Sequence, residues 1–169
     1  MAPGSVARRR GIRAAGLAAS VAVMVLSSAL ATTRPAMAAP GDLDPRFAIG
    51  GLAIDGASGR FEAVTTQPDG KIVVAGTGWS NDMADFQVVR YSATGALDPT
   101  FGAGGRARSD LGRNELGTAV AVQRDGKIVV GGMQTDVLGE ARGQGLVARY
   151  LADGTLDSTF GTGGWSSAR

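Results

Sequence analysis

The sequence predicts an all-β fold of repeated four-stranded sheets, two of them complete. Three observations predict it. The decapeptide Gln67-Pro68-Asp69-Gly70-Lys71-Ile72-Val73-Val74-Ala75-Gly76 returns at a fixed offset as Gln123-Arg124-Asp125-Gly126-Lys127-Ile128-Val129-Val130-Gly131-Gly132. A Leu-Asp-x-x-Phe element occurs three times, starting at Leu43, Leu97 and Leu156, and a Gly pair follows each copy. With 27 Gly and only 5% aromatic residues, the chain has many turns and a thin core. Self-similarity at a fixed period marks a repeat architecture.

In chain order, the first element is an export signal. Residues 1–38 carry five Arg and no acid. A basic start ends at Arg13, an uncharged apolar stretch runs over residues 14–31, and the small-residue site Ala36-Met37-Ala38 follows Pro35. This order predicts a signal helix cleaved after Ala38, a secreted or cell-surface location, and no membrane contact after cleavage. The competing expectation is a retained anchor, since the apolar stretch approaches the roughly 20 residues a span needs. Arg9-Arg10-Gly11-Ile12 is an incomplete twin-Arg signal.

Beyond residue 38 the charge changes sign. The chain's formal charge is +2, but the remainder holds 12 basic against 15 acidic residues, a net of −3. No basic patch is left, so nucleic acid is not an expected partner. The chain contains neither Cys nor His. That excludes disulfides, thiolate nucleophiles, imidazole metal sites and His-dependent triads.

The repeats follow. Residues 39–96 are read as the first unit, 97–155 as the second, and 156–169 as the start of a third. Strands are expected near 51–55, 61–67, 71–77 and 86–92 in the first unit. In the second they fall near 106–111, 118–123, 127–134 and 145–151. β-Branched runs bounded by Gly and Asp mark them. Asp69-Gly70 and Asp125-Gly126 predict tight hairpins, of the type I plus Gly-bulge form, because Gly alone takes a positive φ freely. Lys71 and Lys127 are expected as solvated strand starts. Arg90 and Arg149 recur eight residues before Asp98 and Asp157. That spacing predicts an Arg–Asp pair joining the last strand of a unit to the next crossing.

Ile72-Val73-Val74-Ala75 and Ile128-Val129-Val130 are apolar on both alternating faces. A strand apolar on both sides is covered on both sides. Small sheets stacked face to face give this pattern, as in propeller-like blades. Two blades form an incomplete ring, because propellers use about four to eight. An open pair would leave apolar faces such as Ile72/Val74 or Ile128/Val130 uncovered, and Val74→Asp is expected to unfold its blade. Three readings follow: a piece of a longer repeat array, several copies closing one ring, or a small stand-alone sandwich.

The order Leu-Asp-x-x-Phe-Gly, Gly-Gly, Gln-Pro-Asp-Gly-Lys-Ile-Val-Val-Ala-Gly and Ala-Arg-Tyr resembles the bacterial delta-60 repeat over residues 42–165. The resemblance implies exported proteins built of propeller blades, with no catalytic residues to carry over. Binding is expected where the two copies differ, at loops 78–85 and 135–144. Trp79 could stack on a sugar or peptide, or tuck against a blade edge. Asn81, Asp82 and Asp85 are hard oxygen donors suited to Ca²⁺. Asp82 with Asp85, or Asp136 with Glu140, are the only carboxylate pairs offered for hydrolysis. The leading expectation is a non-enzymatic structural or ligand-presenting module without cofactor or metal. The alternative is a carbohydrate- or Ca²⁺-binding propeller, with a carboxylate-pair hydrolase as the third reading.

Overall fold

The computed structural model describes residues 39–168, apart from 55, 57, 81–82 and 137–142. The expected signal helix, together with Asn81, Asp82 and Glu140, therefore lies outside the described residues. Every described element is a strand or turn. The strands are β1 (Gly59–Thr66), β2 (Ile72–Ser80), β3 (Met83–Tyr91), β4 (Arg106–Ser109), β5 (Asn114–Val122), β6 (Ile128–Thr135), β7 (Gln144–Tyr150) and β8 (Trp165–Ala168). They form two four-stranded antiparallel sheets in the orders β1-β2-β3-β4 and β5-β6-β7-β8.

Each sheet grows from its Asp-Gly hairpin. Gly70 N donates to Gln67 O at 2.9 Å and Gln67 N to Lys71 O at 2.8 Å. Gly70 has φ +82° and Gly126 φ +83°. Asp69 Oδ1 accepts from Lys71 N at 3.1 Å, and Asp125 Oδ1 from Lys127 N at 3.2 Å. The Asp side chain closes the turn that Gly makes sterically possible. β1 and β5 carry matching bulges, between Phe61 and Ala63 and between Gly117 and Ala119.

Sheets and sequence units are out of phase by one strand. Among the described residues of the stretch expected as a strand at 51–55, residues 51–54 form none, and Leu52 makes an isolated bridge with Ile49. The strand expected at 106–111 forms as β4, but it pairs with Phe86–Val89 and closes the first sheet. At Gly105 three hydrogen-bonded strands already stand beside the segment that follows, and it joins them as β4.

β5 packs across β1, β2 and β3 of the first sheet. The core between the sheets joins Val73, Ala75, Phe86 and Val88 to Ile128, Val130, Leu146, Ala148 and Tyr150. The two sheets use opposite faces of equivalent strands. Val73 and Ala75 point inward on β2, whereas Ile128 and Val130, which match Ile72 and Val74, point inward on β6. This corrects the expected exposure of Ile128/Val130, which are both fully buried. The half-covered faces are Ile72/Val74 and Val129/Gly131. Gly117 sets the closeness of approach: a Cβ there would stand 2.5 Å from Gly76 O.

Candidate functional site

Two kinds of arrangement recur or stand out: a polar joint present in both copies, and the residues at the β2–β3 and β6–β7 hairpin ends.

The joint is built on Arg90 and Arg149. Arg90 Nε donates to Asp98 Oδ2 at 2.8 Å, and Arg149 Nε to Asp157 Oδ2 at 2.8 Å. Thr100 Oγ1 donates to Asp98 Oδ1 at 2.6 Å, and Thr159 Oγ1 does the same for Asp157 at 2.6 Å. Lys71 and Lys127 are not simply solvated. Their ammonium groups reach Asp98 and Asp157, each at 3.3 Å. The guanidinium of Arg90 sits 4.7 Å from the Phe101 ring centre, and that of Arg149 sits 4.6 Å from Phe160. The Thr hydroxyls above all, then the Thr amides, the lysines and the arginines, hold both Asp carboxyls well below the usual range against the cost of burial. This network fixes the crossing between one sheet and the next.

A second contact carries the crossing into the following copy. Gly102 N donates to Asp153 O at 2.7 Å, and Ala48 N to Thr94 O at 2.7 Å. These are equivalent positions in successive copies. Gly154 and Gly95 make room for it. A Cβ on Gly154 would lie 2.9 Å from the Phe101 ring, and one on Gly95 would lie 2.9 Å from the Phe47 ring. Each Phe-Gly or Phe-Ala step thus seats on the Gly turn of the next unit. Phe101, seated this way, is fully buried, whereas Phe160 is half-buried.

The hairpin-end residues among those described do not form one site. Loop 78–85 is mostly strand: Trp79 lies on β2 opposite Ala84, and Asp85 lies on β3 opposite Gly78. Trp79 is 44% exposed. Asp85 is buried, and its Oδ2 accepts from Arg108 Nε at 2.7 Å. Asp136 is exposed and pairs with Arg113 Nη1 at 2.6 Å. Sequence reasoning passed over Arg108, Asp110 and Glu115, which gather near Asp85. The available signal was a departure from the repeat, since the position matching Glu115 in the first copy is Gly59.

A family model described as "Domain of unknown function (DUF5122) beta-propeller" matches residues 67–101 and 123–160. Each matched segment runs from the Asp-Gly hairpin to the Phe of the joint. No curated protein matches the chain. With two four-stranded antiparallel sheets stacked through equivalent strands, the chain is a propeller-like repeat protein.

Proposed function

We propose that this is an exported, non-enzymatic structural module of the delta-60 kind, which joins blade to blade and presents its hairpin ends to the surroundings. The repeated seating of a Phe step on the next unit's Gly turn carries the reading. Such a joint passes from one copy to the next and invites continuation. The residues that recur serve the joint, and those that differ, such as Trp79 and Asp136, lie at the outer ends. Export rests on the basic, apolar and small-residue order of residues 1–38.

The partner in this reading is another set of the same blades. The outer face of the second sheet is lined by Gly131, Val147, Phe160 and Ser166, with Val147 37% exposed. An exposed apolar patch of this kind marks an association surface. Light scattering on the full chain, with a far-UV spectrum alongside, tests it. A β-rich species of about two to four copies is expected, since rings use about four to eight blades. A folded monomer at all concentrations would overturn self-closure.

A further inference from the structure

We infer that Asp85, Asp110 and Glu115 form a calcium-type cation site at the junction between the two blades. One carboxylate oxygen from each residue lies within 4.8 Å of the others. The three come from different places: Asp85 from β3, Glu115 from the start of β5, and Asp110 from the connector that leaves β4.

Proximity alone would not make a site. The second observation is at Asp85, which is 5% exposed. Its Oδ2 is committed to Arg108. Its Oδ1 is buried and accepts no hydrogen bond from any described residue. A buried carboxylate oxygen left without a donor carries an uncompensated desolvation cost. A cation bound between the carboxylates removes that cost.

The remaining oxygens are held in place for the role. Glu115 is fully buried. It accepts from Leu111 N at 3.2 Å and Arg113 N at 3.0 Å, so the connector backbone orients it. Asp110 Oδ1 accepts from Gly112 N at 2.8 Å and the residue is exposed, which leaves a path for the ion. Burial pushes the Glu115 carboxyl up, and the nearby Asp85 charge adds to it. Three carboxylates against the Arg108 guanidinium leave a local charge of about −2, the complement of a divalent ion. An all-oxygen donor set selects calcium-like hard cations over zinc or copper. Water and backbone carbonyls would complete the six to eight ligands that calcium takes.

The cluster is not a by-product of the repeat. The positions matching Asp85 and Glu115 in the other copy are Gln144 and Gly59. It occurs where the chain passes from blade to blade, and a bound ion would tie the connector to β3. This inference stands apart from the export and assembly readings, and its test does not depend on them.

The experiment is a thermal melt of the full chain against CaCl₂, with terbium luminescence excited through Tyr and Trp as the direct binding signal. A saturable rise in Tm is expected, with half-saturation near the ~10⁻⁴–10⁻³ M typical of extracellular calcium modules. Asp110→Asn, at an exposed position, should fold normally and raise the half-saturation roughly tenfold or more. Glu115→Gln should abolish the terbium signal. Glu62→Gln, an exposed acid outside the cluster, should titrate as the parent does. No Tm rise at about 10 mM CaCl₂ would overturn the site. So would an Asp110→Asn variant that titrates like the parent, and that variant keeps the test decisive even if Glu115→Gln does not fold.

Discussion

Arg90 Nη1 donates to the backbone carbonyl of Ala152 at 2.6 Å, across 62 residues of sequence. One guanidinium thereby bonds Asp98 within its own sheet and the turn of the next copy. Arg149 makes the first bond and reaches Thr159 at 3.4 Å, but its side chain is 20% exposed where that of Arg90 is 5%. The same residue in the same motif does more work at the inner junction.

Arg90→Met should therefore destabilise more than Arg149→Met. Removing Arg90 takes away the nearest counter-charge of the buried Asp98 and leaves it Lys71, so the loss should fall below the about 3–5 kcal/mol of a wholly unpaired buried charge. Arg149→Met should cost less, because the Arg149 side chain is 20% exposed and its charge is already partly screened by solvent. Urea midpoints of the two variants measure the difference. Equal losses would mean that the Ala152 bond contributes nothing.

Gly154→Ala and Gly163→Ala separate backbone strain from the joint. Both glycines hold a positive φ, +90° and +65°. A Cβ on Gly163 meets open space, whereas one on Gly154 meets the Phe101 ring. Gly163→Ala should cost only the backbone term of about 1–2 kcal/mol. Gly154→Ala should cost that plus displacement of Phe101, about 1–3 kcal/mol more. Thermal melts of both, compared with Phe101→Ala, test the seating.

The β2 face is tested by Val73→Asp against Val74→Asp. The sequence pattern, apolar on both faces, made Val74 an expected unfolding position, but Val73 is fully buried and Val74 is half-buried. Val73→Asp should abolish the folded far-UV signal, because it places an unpaired charge between the sheets. Val74→Asp should remain folded with a lowered Tm while its face stays uncovered.

Acid stability follows from Asp98 and Asp157. Their carboxyls titrate lower in the folded chain than in the unfolded one, so the unfolded state binds more protons as pH falls. Their contribution is fully present above about pH 4 and is lost progressively below it. Asp98→Asn and Asp157→Asn should be less stable than the parent at pH 7. They should also lose less stability between about pH 4 and pH 2. Parallel acid limbs in parent and variants would count against the pairing.

Much of this was legible in local sequence. The hairpins could be read because Asp-Gly chemistry acts within four residues. Strand existence could be read because β-branched runs bounded by turns are local signals. The eight-residue Arg–Asp spacing pointed to the joint, since both ends lie on one short crossing. The hairpin-end residues were harder. Loop 78–85 looked open, yet the ladder runs on to Ser80 and resumes at Met83, so Trp79 and Asp85 point to opposite faces. Strand pairing overrode the polar composition there.

The sequence by itself determined the repeat, the turns, the two-sided apolar strands and the chemistries that a chain without Cys or His excludes. Tertiary structure decided the phase of the sheets, because β4 joins whichever ladder stands beside it when it arrives. It also decided which face of each blade is buried, since both faces are apolar and only the neighbour's position breaks the tie. The gathering of Asp85, Asp110 and Glu115 is of the same kind. Three acids from two strands and a connector meet only after two sheets have packed, and no local spacing encodes that meeting.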